Sequence, residues 1–116
     1  MNAARISSLF PRKSKYRAKP QVVDGERFDS KGELKRWREL QLLEKAGEIS
    51  GLRRQVPIQL RAEGGGLVGV LVIDFTYYNP RDEMVFEDFK GFITPLARWK
   101  IKHVEAQYDL TVRITR

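Results

Sequence analysis

Two hydrophobic periods succeed one another along the chain. Leu34, Trp37, Leu40 or Gln41, and Leu43 recur at helical spacing and predict a helix over about 30–46. Ser30 with Glu33 three residues later fits a capping box, Asp29 competes as N-cap, and Gly47 supplies the stop. Strict alternation follows in Gln55-Val56-Pro57-Ile58-Gln59-Leu60, with Val56, Ile58 and Leu60 pointing inward. Pro57 confines that strand to a sheet edge or to an unpaired amide side. Glu63-Gly64-Gly65-Gly66 turns the chain into Leu67–Tyr78, a near-continuous apolar run that reads as a central strand. Asn79-Pro80-Arg81-Asp82-Glu83 makes a second turn, and Met84 to Gly91 returns as a third strand. Thr94 as N-cap and Pro95 at the first helical position open a helix over about 95–107, with Ala97, Ile101, Val104 and Tyr108 on its apolar face. Leu110, Val112 and Ile114 then alternate as a last strand. The order is helix, three strands, helix, strand, preceded by a short extended pair, Val22 to Phe28, around Asp24-Gly25.

The second and third strands carry charges where burial is expected: Asp74, Glu87, Asp88 and Lys90. An ionised carboxylate in such a run is costly unless it is paired or holds a metal. If Tyr78 faces Met84 across the turn, Asp74 falls opposite Asp88. Alternation then projects Asp74, Asp88 and Lys90 from one face and Ile73, Phe75, Glu87 and Phe89 from the other. A slip of one residue would reverse the assignment.

The 116 residues suit one domain: a basic arm over 1–20 and a folded region over 21–116. Lys and Arg number 22 against 15 Asp and Glu, a net charge of +7 that favours an anionic partner, nucleic acid above all. In the arm, Arg5, Arg12, Lys13, Lys15, Arg17 and Lys19 lie among Ser and Pro, a solvated tail or one that neutralises backbone phosphates. The absence of cysteine and the single histidine, His103, exclude disulfides and thiolate or multi-histidine zinc sites. Any metal must sit on oxygen, which points to Mg²⁺ or Mn²⁺. No apolar run suits a membrane span, and the start lacks a signal-peptide pattern, so a cytoplasmic protein is expected.

Two carboxylates and a lysine suit phosphodiester hydrolysis. Mg²⁺ takes one or two protein carboxylates plus a phosphate oxygen, lowers the pKa of water and offsets charge on phosphorus. Each residue also has a plainer reading. Glu33 can be only the reciprocal half of a capping box, Lys90 a strand end, and Asp74 a salt-bridge partner of Lys90 or Arg54. Gln55 can touch the site but reads first as an edge-strand surface residue, and Trp37 and Trp99 read as core or boundary anchors rather than base-stacking platforms. Gly64-Gly65-Gly66 lacks the context of a phosphate-binding loop.

Ile73-Asp74, fourteen residues ahead of Asp88-Phe89-Lys90, resembles the PD-(D/E)XK nuclease signature, with Ile73 where that superfamily often has proline. Lys15-Tyr16-Arg17-Ala18-Lys19, Val23-Asp24-Gly25, Phe28-Asp29-Ser30-Lys31-Gly32-Glu33, Leu43 to Ile49, and Asp88-Phe89-Lys90-Gly91 resemble a family of small phage and prophage proteins. That family is catalogued by a domain of unknown function and regarded as nuclease-like. The resemblance spans about residues 15–114 and implies an α/β (α+β), restriction-endonuclease-like core. It further implies that Asp74 and Asp88 bind metal, with Glu33 completing the site and Phe89 among the metal-binding positions. Lys90 is then the catalytic lysine, and Arg98 and Lys102 face the substrate phosphate.

The expected activity is that of a phage-encoded, Mg²⁺- or Mn²⁺-dependent DNA endonuclease of the Holliday-junction-resolvase type. It would act on branched DNA in recombination, as a homodimer in the host cytoplasm. The alternative is a non-catalytic nucleic-acid-binding protein that retains the nuclease fold.

Overall fold

The computed structural model describes residues 20–116. The arm residues Lys13, Lys15, Arg17 and Lys19 lie outside the described residues. The chain divides into two compact units, one ending at Leu34 and one running from Lys35 to Arg116. Among the described residues no helix is long and apolar enough to cross a membrane.

In the first unit, β1 (Gln21–Val23) pairs antiparallel with β2 (Glu26–Phe28). Asp24 (φ 53°) and Gly25 (φ 77°) both take the left-handed conformation that a two-residue hairpin turn requires. Helix α1 (Lys31–Lys45) starts here. The Ser30 hydroxyl accepts from the Glu33 amide at 3.1 Å. Glu33 Oε2 accepts from the Asp29 amide at 2.9 Å, one residue ahead of the Ser30 amide used in a capping box. Gly47 (φ 81°) ends the helix, with its amide on Glu44 O and the Glu48 amide on Leu43 O, the Schellman pattern.

The second unit is built on a four-stranded sheet in the order β3 (Ser50–Arg61), β4 (Leu67–Tyr78), β5 (Met84–Phe89), β6 (Val112–Thr115). The first three strands are antiparallel; β6 runs parallel to β5, and the crossover that a parallel pair needs is α2 (Pro95–Tyr108). Pro57 does lie on an edge strand, although β3 begins five residues ahead of the expected start. The β4–β5 turn is pinned by Asn79 Oδ1, which accepts from the Arg81 and Glu83 amides. That turn sets Tyr78 opposite Met84 and Phe75 opposite Glu87, the expected register. Thr94 caps α2 through the Ala97 amide, and Asp109 (φ 52°) ends it in the left-handed conformation.

Two hydrophobic clusters flank this sheet. One holds Leu60, Leu71, Ile73, Ile101, Val104 and Val112, with Phe86 packed against it. The other holds Leu40, Ile49, Phe75 and Tyr77, with Trp37, Val85 and Phe89 against it, and Trp37 stacks on Phe75 at 6.0 Å. Val85 and Phe89 alternate with Phe86 along β5, so α1 and α2 cover opposite faces.

Strand β4 departs from the expected pattern. Ile73 belongs to the α2 cluster and Phe75, two residues on, to the α1 cluster, so they do not share a face as alternation predicts. The partner strand does the same, with Ile58 and Leu60 on the α2 side and Leu52 on the α1 side. The β3–β4 ribbon therefore turns over at Gln55 and Asp74, where Gln55 takes φ 55° inside a strand. Beyond the turnover Val68, Val70 and Val72 are exposed, so the apolar run of β4 is covered on both faces only in its second half.

Glu87 is fully buried and fully engaged. Arg36 grips it with two donors, Nε to Oε2 at 2.6 Å and Nη2 to Oε1 at 2.9 Å, and the Tyr77 hydroxyl donates to Oε1 at 2.7 Å. Burial pushes the Glu87 carboxyl up, but the Arg36 and Tyr77 hydrogen bonds and the Arg36 charge outweigh it and hold it below its ordinary value of 4.5. Burial and the bond to this carboxylate push Tyr77 up. A carboxyl whose folded pKa is depressed stabilises the fold above its unfolded pKa and loses that contribution as pH falls through the folded value. Arg36→Ala, which strands a buried carboxylate, should therefore cost about 3–5 kcal/mol in urea unfolding at pH 7. Glu87→Gln should flatten the fall in stability below the unfolded value of 4.5. An unchanged acid limb would assign that fall to other carboxylates.

Candidate functional site

Asp74 and Asp88 sit where β4 and β5 part. The last backbone pair on that side is Phe75 with Glu87. At the next position, side chains take over the ladder: the Asp74 amide donates to Asp88 Oδ1 at 3.1 Å, and the Phe89 amide donates to Asp74 Oδ2 at 2.8 Å. Each carboxylate thus receives a backbone N–H from the opposite strand. Both are buried, at 8% and 0% exposure, so these donors offset part of their desolvation.

Lys90 approaches from the end of β5. Its amide donates to Thr115 O at 2.9 Å, which extends the parallel pairing to β6 and fixes where its side chain departs. Its Nζ lies 3.1 Å from Asp88 Oδ2. That oxygen is buried, and the contact is an ion pair without hydrogen-bond alignment, so Oδ2 accepts no hydrogen bond. Glu87, one residue earlier, points to the other face and into the Arg36 grip. The structure brings Asp74, Asp88 and Lys90 together, and Glu87 lies apart from them.

Gln55 joins them. Expected first as a surface residue, it donates from Nε2 to Asp74 Oδ1 at 3.1 Å, and its left-handed backbone marks the ribbon's turnover. Contact with the site was the second of its two expected readings, and its place opposite Asp74, set by the β3–β4 register, is what brings it about.

The remaining expected residues are placed as follows. Glu33 is buried in the first unit, where its carboxylate accepts from the Asp29 amide. Phe89 gives its amide to Asp74 and its ring to the α1 cluster. Among the described residues no group of three or more His, Asp or Glu is gathered closely enough to hold a metal ion. What the strands gather is a pair of carboxylates, hard oxygen donors of the kind Mg²⁺ or Mn²⁺ takes, and the cation now beside Asp88 Oδ2 is the Lys90 ammonium.

On α2, Arg98 and Lys102 are exposed, one turn apart, and line an open concavity of about 430 Å³ with Phe92, Ile93, Pro95 and Trp99. Of the two tryptophans expected as core or boundary anchors, Trp37 packs against the α1 cluster and Trp99 stands at the boundary, half exposed. Lys100 is turned elsewhere, donating to Val70 O on the edge of β4 that β5 leaves uncovered.

No curated protein and no solved structure matches the chain. A family model described as "Protein of unknown function (DUF1064)" matches residues 13–115, a span that includes Asp74, Asp88, Lys90, Gln55 and the α2 cations. The chain belongs to that family.

Proposed function

We propose that this chain is a Mg²⁺- or Mn²⁺-dependent endonuclease with a PD-(D/E)XK-type site, acting on branched DNA. One observation carries the reading: two buried carboxylates cross-bonded at a strand split, with Lys90 3.1 Å from the oxygen of Asp88 that accepts no hydrogen bond. A merely structural acid pair would be saturated, as Glu87 is. Asp74 and Asp88 would hold the metal, which supplies a Lewis acid for the phosphate and lowers the pKa of water. Lys90 orients the attacking water and stabilises negative charge on the phosphate oxygens. The water gives up a proton to solvent as its oxygen bonds to phosphorus, the bond to the leaving sugar oxygen breaks, and that oxygen takes up a proton from solvent. Gln55 acts through Asp74, holding the carboxylate in orientation. Arg98 and Lys102, with the net charge of +7, favour the DNA backbone. Symmetric cutting of a junction needs two sites, hence a homodimer.

Cleavage of four-way junction, flap, linear duplex and single-stranded substrates, with Mg²⁺, Mn²⁺ or EDTA, tests the reading. The expected result is metal-dependent cutting, best on branched DNA, that falls at least about 100-fold in Asp88→Asn and in Lys90→Ala. Cutting that survives EDTA or Asp88→Asn would overturn the mechanism, and binding without cutting on every substrate would leave a DNA-binding protein. A second readout needs no activity: Mn²⁺ should raise the melting temperature of the wild type and not of Asp88→Asn. For Gln55→Ala the Mn²⁺ concentration giving half that rise should increase about tenfold. Arg98→Ala and Lys102→Ala should each reduce the slope of log K against log salt by about 0.9.

A further inference from the structure

We infer that the concavity on α2 is a stacking site for an unpaired nucleobase, with Trp99 as its platform. The inference rests on the nuclease reading only for what lies beside it. An amphipathic helix normally presents polar residues outward, yet Trp99 is 50% exposed on the face of α2 that carries Arg98 and Lys102. The indole is held on one side by His103, one turn on, with ring centroids 5.4 Å apart and planes tilted by 44°. His103 is itself tied to β3 through Nε2, which donates to Arg61 O at 3.0 Å. That arrangement steadies an aromatic surface before any ligand arrives.

The lining matches one class of ligand. Phe92, Ile93, Pro95 and Trp99 supply apolar surface, Arg98 and Lys102 supply cations, and among the described residues no acid lines the concavity. A flat aromatic group carrying a phosphate satisfies both halves at once. The volume of about 430 Å³ is of the size that takes a small organic ligand, and the opening is broad enough for one still attached to a strand. Phe92 follows Lys90 by two residues, so their Cα atoms lie within about 7 Å. The chain thus carries the rim of the concavity directly on from Lys90. Bases inside a duplex are stacked on their neighbours and cannot enter; those at a branch, flap or single-stranded end can. The concavity thus gives the site a physical means of selecting branched over linear duplex DNA.

Equilibrium binding tests this in EDTA, where no cutting occurs. Oligonucleotides carrying the fluorescent base 2-aminopurine would be used, single-stranded, within a full duplex, and as one unpaired nucleotide in a duplex. The wild type should quench the unpaired base. Trp99→Ala should weaken binding of the two unpaired substrates about tenfold and leave the duplex unchanged, while Trp99→Phe should restore most of the affinity. Equal losses on all three substrates, or none, would overturn the stacking site. So would a loss of self-association in Trp99→Ala with nucleotide binding intact, which would assign the concavity to a second copy of the chain. Failure of cleavage in the nuclease assay together with selective quenching here would reject the nuclease reading and keep the stacking site.

Discussion

A carboxylate can stay ionised inside a sheet only if donors reach it, and the second unit is arranged around that demand. Three acids, Asp74, Glu87 and Asp88, are buried in β4 and β5. Continued backbone pairing beyond Phe75 and Glu87 would use up the amides that Asp74 and Asp88 need. The strands part instead, and the freed amides of Asp74 and Phe89 turn to the opposing carboxylates. The split costs ladder hydrogen bonds and returns them as charge-assisted ones.

The neighbouring residues Glu87 and Asp88 show two solutions to one problem. Glu87 is saturated by a two-pronged arginine and a tyrosine hydroxyl, and its role is to join α1 to the sheet. Asp88 is bonded at one oxygen and only ion-paired at the other. An interior acid held by a lysine without a hydrogen bond at one oxygen is less completely fixed than Glu87, and this contrast supports the hydrolytic reading.

The turnover at Gln55 links the acid pair to the two cores. A strand that keeps one face inward can serve one helix; β3 and β4 serve both, because the ribbon changes face midway. The residue at which it does so is the one that bonds Asp74. Left-handed backbone in a non-glycine residue costs of order 1–3 kcal/mol, and here packing on both sides holds it. Helix α2 has a similar double duty: Ile101 and Val104 fill the core while Arg98, Trp99 and Lys102 form an outward surface.

Local chemistry was legible in the sequence. Ser30, Gly47, Thr94 and Pro95 mark helix ends because capping is decided within a few residues. The Asn79–Glu83 turn fixes the register, and with it the separation of Glu87 from Asp88, because side chains in a strand alternate. What the sequence could not disclose depends on which layer covers which stretch. Nothing in the residue type of Gln55 announces a left-handed strand residue, so Ile73 and Phe75 read as neighbours on one face. The valines at 68, 70 and 72 read as buried because hydrophobicity does not say whether a helix lies above them. The period did name Ile101 and Val104 as the inward side of α2, but the type of Trp99 alone could not say that half of its ring is left outside.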